Sequence, residues 1–563
     1  MRLKSALALV LLGLLTLLLG IGQKTFWAPS STITASASAD VQDAPLTVVK
    51  QALRTSAGST VEIKVKGDGN FLLATARPDD VDAWVGKTAH NTVESISEDK
   101  KSLNITHSDG DAKSPNPAGA DLWASSESAS GELTYNWTVP GDGDWDLLIA
   151  SDGTKPAPKD ISFTVANDTS TPWAIPLIVL GGILVLAGIA LVVLNKNSNG
   201  KRGTTAGGSK PVTDAAPAKG AGSANGTGTL ALIAIFGLSG AAALGGASAA
   251  SADTATPAPS ASSTAVAQDS APDSPVVLDT QLKRILDQTV NAVGTADAAK
   301  DAKKLTGRVA GTALTVRTQN YKIRAQSGNY TAVAPVTSSK LLTTVIGTSR
   351  AWPRQIMAVT QGSGNPVPQL LTLTQAGPRE NYKLVSASYL LPGNTFPNAD
   401  PKGAAVLKAD SKDKLQQDAN SALNTLGDKL SNNVGASKAK FPENAYFSDT
   451  AAYQKDLLSK SPDAVTQFAH VAVPADTKVF RTEDGGALVI GHLKYTVLQK
   501  PKSAGDKLLL DGGASVLAGG KETTKSLRIT YDESVAVYVP SSDSKDTMKL
   551  IAATRGLVGA TFE

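Results

Sequence analysis

Three uncharged apolar runs divide the chain, and polar and apolar positions alternate over the stretches between them. Each run is about long enough to cross a ~30 Å bilayer core as a helix that rises ~1.5 Å per residue. The pattern therefore predicts a membrane protein with three transmembrane helices. They are an N-terminal anchor or signal over 1–29, a second helix over 173–194, and a third helix or internal signal-like segment over 230–250.

Basic residues at the ends of these runs predict their orientation, because cytoplasmic loops carry an excess of lysine and arginine. Arg2 and Lys4 precede the first run, and Lys201 and Arg202 follow the second. Both signals place the N-terminus and the segment 195–229 in the cytoplasm. We therefore predict a multi-pass plasma-membrane protein with both folded modules on the extracytoplasmic side.

Cleavage after the first and third runs is an open alternative, because a secretory signal has the same charged start, apolar stretch and small residues. Ala-x-Ala tracts stand at 35–37, well beyond the first run, and at 247–249 and 250–252, directly after the third. Cleavage at the last two would release the C-terminal module. The sidedness of the two modules would be unchanged.

Two segments beside the third run consist mainly of small and polar residues. They are 195–229 and 251–273, both poor in large apolar side chains. Such segments cannot bury enough apolar surface to offset the entropy lost on ordering. We predict a disordered cytoplasmic loop for the first and a Ser/Thr/Ala/Pro-rich stalk for the second.

The N-terminal module, 41–170, has the alternation of half-buried strands. Every second residue is large and apolar over 133–139, and the same alternation appears at 61–65 and 161–165. Several short strands separated by turn residues are typical of a sandwich. The sequence predicts an extracytoplasmic all-β sandwich, jelly-roll-like in form.

Four tryptophans of this module divide into two pairs. Trp137 and Trp145 lie on the apolar phase of their strands and are expected in the core. Trp84 and Trp123 do not lie on the apolar positions of an alternating strand pattern. We predict Trp84 and Trp123 as ligand contacts, since exposed tryptophans form platforms for sugars.

The C-terminal region alternates between helical and strand-like patterns. A helix followed by strands occurs twice, which predicts an α+β region of two tandem cystatin-like or nuclear-transport-factor-like cone domains over 274–400 and 401–563. The predicted helices cover 278–293, 415–430 and 450–459. The predicted strands cover 355–360, 369–374, 382–390, 468–473, 488–498, 526–539 and 549–562.

Short tracts of both modules resemble a known group of proteins. The tracts 352–360 (WPRQIMAVT), 369–375 and 382–384 resemble an uncharacterised extracellular domain of actinobacterial membrane proteins and lipoproteins. The tracts 76–82 and 143–153 resemble membrane-anchored envelope proteins of the same bacteria. The resemblance implies no activity, and because the lipobox cysteine of the lipoproteins is missing, it implies anchoring by helices.

Composition and motifs narrow the chemistry further. The chain has no cysteine, which excludes disulfides and thiolate metal sites, and its net charge of +4 gives no basic face for nucleic acid. The four histidines lack metal-ligand spacing. His470 and His492 are both expected on strands and are a candidate pair, but ordinary strand positions are favoured because no carboxylate is spaced to complete a site. The sequence predicts no catalytic residue, no metal ligand and no cofactor.

Two functional hypotheses remain. The first is a non-enzymatic membrane-anchored cell-envelope protein that presents extracytoplasmic binding or accessory domains to a cell-wall glycan or an envelope protein. The alternative is an envelope enzyme acting on cell-wall polymer through carboxylates in a C-terminal pocket. Two acids within the ~5–10 Å separation used in glycoside hydrolysis would distinguish the second from the first.

Overall fold

The computed structural model describes residues 2–57, 61–198, 274–432 and 436–563. The third apolar run, the stalk and nearly all of the predicted cytoplasmic loop lie outside the described residues. The chain divides into two compact units. One contains the first two apolar runs, and the other contains the N-terminal module together with the C-terminal region.

Helices and strands are numbered separately in chain order. The helices are α1 Arg2–Lys24, α2 Gln51–Ala57, α3 Pro78–Val85, α4 Ala174–Ser198, α5 Asp279–Ala299, α6 Gly311–Gln326, α7 Ala419–Asn432, α8 Ala436–Lys440, α9 Ala445–Lys460 and α10 Gly512–Ala518. The strands of the N-terminal module are β1 Thr32–Ser36, β2 Leu46–Val49, β3 Val61–Ala76, β4 His90–Ile96, β5 Leu103–Ser108, β6 Ser125–Asn136, β7 Asp146–Ala150 and β8 Asp160–Ala166. Those of the C-terminal region are β9 Lys340–Ile346, β10 Arg354–Gly362, β11 Asn365–Gln375, β12 Lys383–Leu390, β13 Val406–Leu407, β14 Ala464–Ala472, β15 Lys478–Arg481, β16 Ala487–Pro501, β17 Leu508–Leu509, β18 Glu522–Thr523, β19 Leu527–Val539 and β20 Lys549–Phe562.

Helices α1 and α4 pack against each other in antiparallel fashion through glycines. Gly13 of α1 faces Gly181 of α4, and Gly188 of α4 faces Ala6 of α1. Without side chains at these points the two backbones approach closely. The opposite faces expose leucine, isoleucine and valine. Both helices are long and apolar enough to cross a membrane.

Replacing Gly181 with leucine should separate this helix pair. A Cβ atom at Gly181 would stand 2.6 Å from the backbone nitrogen of Leu17, whereas a Cβ at the neighbouring Gly182 meets no atom within 4 Å. Overpacking of this kind costs about 1–3 kcal/mol, and backbone atoms cannot move aside as side chains do. The thermal transition of the full chain in detergent, followed by helical circular dichroism, should fall for Gly181→Leu and not for the control Gly182→Leu. Equal effects of the two changes would contradict the packing.

The N-terminal module is a bent eight-stranded sheet whose order is β1-β8-β3-β7-β2-β4-β5, with β6 paired to β3. Strand β3 is 16 residues long, and its register with β6 shifts near Gly69. Its first half pairs with β8 and its second half with β7. One face of the bent sheet encloses a core that includes Ile63, Leu147 and Phe163.

Two features depart from the predicted all-β module. Strands β2 and β4 pair in parallel, and short helices α2 and α3 lie between them in the chain. A parallel pair cannot be joined by a tight turn and requires a crossover connection. The segment α2–β3–α3 supplies this crossover, so helices enter the module. The predicted strands at 61–65, 133–139 and 161–165 overlap β3, β6 and β8, whereas β1, β2, β4 and β5 were not predicted, and a sandwich or jelly-roll form stays a prediction.

The C-terminal region repeats the order of helices followed by strands, as predicted, but ten of its twelve described strands form one sheet, and the short strands β17 and β18 pair separately. Strand β12 of the first half pairs with β20 of the second, at Tyr389 and Ala553. Helices α5 and α6 cover the outer face of the first half, and α7 and α9 cover that of the second. The sheet faces that these helices leave uncovered pack against each other, through residues such as Met357, Leu370 and Leu488. Whether the halves belong to the cystatin-like or nuclear-transport-factor-like folds stays a prediction.

Candidate functional site

The N-terminal module docks onto the C-terminal region through buried ion pairs. The Asp80 carboxylate at the start of α3 lies 2.5 Å from Nη1 of Arg354 on β10. The carboxylate of Asp121 accepts hydrogen bonds from Arg308 Nη1 and, at 2.8 Å, from the backbone N–H of Tyr382. Burial raises the pKa of Asp80 to about 6, although Arg354 pulls it down. The two modules therefore form one body.

Trp84 and Trp123, predicted as ligand contacts, lie in this docking region. Each ring is 1% exposed, and the ring centroids stand 4.9 Å apart. Trp352 of the C-terminal region packs on the same core, and Arg379 donates a hydrogen bond to the carbonyl of Trp84. The two rings are interior packing, not an exposed platform for a sugar. Trp137 is buried at 2% exposure, as predicted.

His470 and His492 lie on the paired strands β14 and β16 but do not come together. His470 stacks on Tyr495 with ring centroids 4.0 Å apart. His492 instead lies between Asp476 and Asp532, at 2.8 and 3.2 Å. Among the residues that the structure describes, no group of three or more histidine, aspartate or glutamate side chains has an arrangement that could hold a metal ion.

The most promising site is a cavity of about 430 Å³, named here the tyrosine cavity. It opens beside α6 on the outer face of the shared sheet, where β11, β12, β19 and β20 run side by side. This size falls in the ~300–1,000 Å³ range of small-molecule sites. Its lining is Val316, Arg317, Asn320, Tyr330, Thr331, Ala332, Val333, Ala334, Gln369, Ala387, Tyr389, Tyr531, Thr554, Arg555, Gly556 and Leu557.

Two buried amides of the cavity wall have unused hydrogen-bonding capacity. Gln369 is 4% exposed and Asn320 is 7% exposed. The side-chain oxygen of each is buried and accepts no hydrogen bond from any described residue. An unsatisfied buried acceptor costs about 1–3 kcal/mol. Because these two oxygens have almost no accessible surface, they belong to the packed wall and not to the surface that a bound molecule would contact.

Arg555 connects the cavity to a buried polar network. Its Nε donates to Oε1 of Glu533 at 2.6 Å, and its Nη2 donates to the hydroxyl of Thr450 at 2.9 Å. The hydroxyl of Tyr446 donates to the same Glu533 oxygen at 2.8 Å. Burial raises the pKa of Glu533, and Arg555 opposes that rise. The planar guanidinium also lies 4.6 Å from the ring of Tyr495.

His470 occupies the far side of this network. Its Nε2 stands 3.6 Å from Oε1 of Glu533, longer than a hydrogen bond, and its side chain is fully buried. Burial, together with the positive charge of Arg555, lowers the pKa of His470 to about 3. The imidazole is therefore neutral in the folded protein at neutral pH.

Replacing His470 with phenylalanine should reduce the acid sensitivity of the fold. The pKa of His470 is about 3 when folded and near 6.5 when unfolded, so its contribution is complete above pH 6.5 and is lost as the pH falls. Between pH 6.5 and 4.5 this group alone removes about 2 kcal/mol of unfolding free energy. Urea unfolding at both pH values should show a smaller drop for His470→Phe than for wild type. The control Val471→Phe, at an exposed position of the same strand, should match wild type; an unchanged drop in His470→Phe would contradict the assignment.

Both arginines of the cavity wall already have carboxylate partners. Arg317 binds Asp297 at 2.5 Å, and Arg555 binds Glu533. No carboxylate is among the described residues that line the cavity. The site is therefore electrically balanced: it offers aromatic rings, amides and hydroxyls, and it lacks an uncompensated charge.

This geometry defines a β-rich α/β domain with a ligand-sized cavity beside a shared sheet, joined to a second β-rich module. The family model for a domain of unknown function, DUF8094, matches residues 273–562. The match covers more than half of the chain, which therefore belongs to this family. No curated protein and no solved structure matches the chain. The expected C-terminal domain of unknown function is thus confirmed, whereas the actinobacterial origin and envelope anchoring implied by the resemblance stay predictions.

Sequence reasoning did not find the tyrosine cavity. Its residues come from α6, four strands and the segment 330–334, which are far apart in the chain. One signal was present: after Lys549 at its start, the strand predicted at 549–562 contains one further charged residue, Arg555, among apolar and small residues. A charged residue inside a central strand requires a buried partner, and here that partner is Glu533.

Proposed function

We propose that this protein is a membrane-anchored cell-envelope protein that holds a ligand-binding body outside the cytoplasmic membrane. The tyrosine cavity carries the proposal, because it combines a ligand-sized volume with a lining of aromatic and polar side chains. The apolar outer faces of α1 and α4 support the anchoring, since such surfaces are stable in lipid.

Docking of the two modules supports the topology. If α1 and α4 both span the membrane, the chain after α4 lies on the side opposite to the N-terminal module. The C-terminal region packs on that module through Asp80, Asp121 and their arginine partners, so both belong on one side. A further crossing is then needed, and we propose for it the run 230–250, which the sequence predicts as a third transmembrane segment.

Single cysteines test this topology, because the natural chain has none and needs no background replacement. Asp109→Cys marks the N-terminal module, Lys545→Cys the C-terminal region, and Ser209→Cys the predicted cytoplasmic loop. A membrane-impermeant maleimide added to intact cells should label the first two variants, and the third only after permeabilisation. The cysteine-free parent measures background. Labelling of Ser209→Cys in intact cells, or protection of Lys545→Cys, would overturn the proposal.

The binding role is tested with soluble fragments of digested cell envelope. The full chain in detergent should retain fragments that the variant Tyr389→Ala does not retain, because this change removes one aromatic wall of the cavity. The control is Gln467→Leu, which changes a residue of β14 away from the cavity. It shows whether any change to a strand lowers retention. Retention equal in wild type and Tyr389→Ala would exclude the cavity as the site.

No observation favours the alternative of a polymer-cleaving enzyme at this site. That hypothesis requires two carboxylates facing one pocket, and the described lining of the tyrosine cavity includes none. Glu533 is the nearest acid to Arg555, but it is 0% exposed and lies behind the guanidinium. Its position suits charge compensation and not contact with a substrate.

A further inference from the structure

We propose that His492 is a proton-dependent latch, which holds the turn Pro474–Asp476 over a cavity between the two halves of the C-terminal region and releases it on losing its proton. This cavity, of about 250 Å³, shares no lining residue with the tyrosine cavity. The first half contributes hydroxyl-bearing side chains such as Ser386, and the second contributes His492, Asp476 and Lys478. The latch goes beyond the binding function proposed above and does not depend on it.

Both ring nitrogens of His492 face a carboxylate. Nδ1 lies 2.8 Å from Oδ2 of Asp476, and Nε2 lies 3.2 Å from Oδ1 of Asp532. A neutral imidazole has one N–H, so either tautomer would direct a lone pair at one of the two carboxylates. A protonated imidazole carries an N–H on both nitrogens and attracts both acids. The two contacts are therefore compatible with each other while His492 is protonated, and one of them is lost when it is neutral.

The burial of the two aspartates decides which contact is lost. The side chain of Asp532 on β19 is 7% exposed, and separation from His492 would leave its charge buried without this partner. The side chain of Asp476 is 51% exposed, so water can replace the imidazole there at little cost. A neutral His492 therefore keeps its N–H for Asp532, and its lone pair repels Asp476.

Few other bonds hold the turn Pro474–Asp476 in place. In the described part of the chain, its side chains make no hydrogen bond or ion pair with another element except the contact to His492. The backbone carbonyl of Asp476 accepts a hydrogen bond from Lys478, the first residue of β15. On the other side, the N–H of Val473 donates to the carbonyl of His492 at 2.9 Å. The turn therefore lies between two fixed ends, and His492 is its lateral attachment.

The other charged groups around His492 leave this balance in place. Lys478 lines the cavity, and Lys494 lies two residues further along β16 at an exposed position. Glu533 on β19 is bound to Arg555 and is thereby compensated. The segments of the first half that border the cavity contribute glycine, valine and hydroxyl-bearing residues. The two aspartates therefore decide the charge state of His492.

These contacts also determine the direction in which pH acts. Burial lowers the pKa of His492, but hydrogen bonding to Asp532 and Asp476 and their charges outweigh burial and raise the pKa above its ordinary value of 6.5. A group whose pKa is higher in the folded state contributes stability that is complete below the unfolded pKa and is lost as the pH rises through the folded pKa. The latch is therefore closed below about pH 6.5 and opens on the alkaline side.

A nitroxide spin label on the turn tests the latch, because its spectrum reports mobility directly. The natural chain has no cysteine, so Ala475→Cys, at an exposed position of the turn, gives one labelling site. In the full chain in detergent, the ratio of mobile to immobile label should rise by about tenfold per pH unit through the transition, as for the release of one proton. A label on Ala469→Cys, at an exposed position of β14, should give the same spectrum at every pH.

Two substitutions in the labelled protein separate the latch from a general effect of pH. His492→Gln is neutral at every pH and cannot hold both acids, so the label on the turn should be mobile throughout. Asp476→Asn removes the repelled charge, and its amide can donate to a neutral imidazole, so the label should stay immobile throughout. An unchanged spectrum of the wild-type turn across the pH range, or a pH response that persists in His492→Gln, would overturn the latch.

A cysteine inside the cavity tests whether the turn closes it. Ser386 is 7% exposed and lines the cavity, and cysteine differs from serine by one atom. Ser386→Cys should react several-fold faster with a maleimide when it is combined with His492→Gln than when His492 is present. Both proteins are measured at pH 6, where the wild-type latch is closed and the ionisation of the thiol is the same. Equal rates would show that the turn does not close the cavity.

Discussion

Replacing Asp121 with alanine should lower the free energy of unfolding of the docked body by about 3–5 kcal/mol, the cost of removing one partner from a buried charge pair. The Asp121 side chain is 0% exposed and bridges the modules: it is part of the N-terminal module, and its carboxylate accepts from Arg308 and from the N–H of Tyr382. Its removal leaves a guanidinium and a backbone donor buried without their acceptor.

Chemical unfolding of the full chain measures this effect, and limited proteolysis adds a readout of docking. In Asp121→Ala the N-terminal module should be cut more readily in the segment 117–124, which is held against the C-terminal region. The control is Asp109→Ala, whose side chain is fully exposed and which should change stability by less than about 0.5 kcal/mol. Stability and proteolysis equal to wild type in Asp121→Ala would contradict the docked arrangement.

Replacing Glu533 with leucine should cost a similar amount, about 3–5 kcal/mol, and a second change should recover much of it. Glu533 compensates Arg555 in a setting where both are buried. Either single change, Glu533→Leu or Arg555→Met, leaves one buried charge without its partner. The double variant removes both charges and leaves apolar side chains of similar size, so it should be more stable than either single variant.

A double-mutant cycle of unfolding free energies measures this coupling. The matched control is the pair of Arg528 on β19 and Glu563, the residue directly after β20, whose side chains are about 40% exposed. That cycle should give a coupling of about 0–1 kcal/mol, because solvent screens exposed pairs. Additive losses in the Glu533–Arg555 cycle would show that the two charges do not depend on each other.

The strands of this protein were largely predictable, because their alternation reports burial directly. The strand predicted at 526–539 is observed as Leu527–Val539, and that at 549–562 as Lys549–Phe562. Their inner residues are apolar for the simple reason that one or both faces of the sheet are covered. What the pattern could not supply is the pairing of β12 with β20, which joins the predicted domains into one sheet.

Helix α6 was missed for a physical reason. Its buried face carries Arg317 and Asn320 where a helical pattern would place leucine. These polar side chains are tolerated because Asp297 and the carbonyl of Thr331 meet them, and both partners come from other segments. Helices whose inner face is polar cannot be recognised from apolar spacing, and here that polar face borders the tyrosine cavity.

The tryptophan prediction shows a related limit. Trp84 lies on the short helix α3, where the strand alternation used to identify core residues does not apply. Trp123 lies on an irregular segment. Both are covered by the C-terminal region, which begins about 150 residues later in the chain, so their burial depends on a docking event that local sequence does not encode.

The position of β20 has a consequence for biogenesis. Residues 549–562 form an inner strand, paired with β19 on one side and β12 on the other, and these pairs join the two halves of the sheet. The first half is therefore synthesised with an open edge, and its sheet cannot be completed until about 160 further residues have been made. During that interval the edge offers unpaired backbone groups to any neighbouring chain. Folding of this protein should accordingly depend on chaperones that cover strand edges, and its yield should respond to their supply more than to the stability of the finished fold.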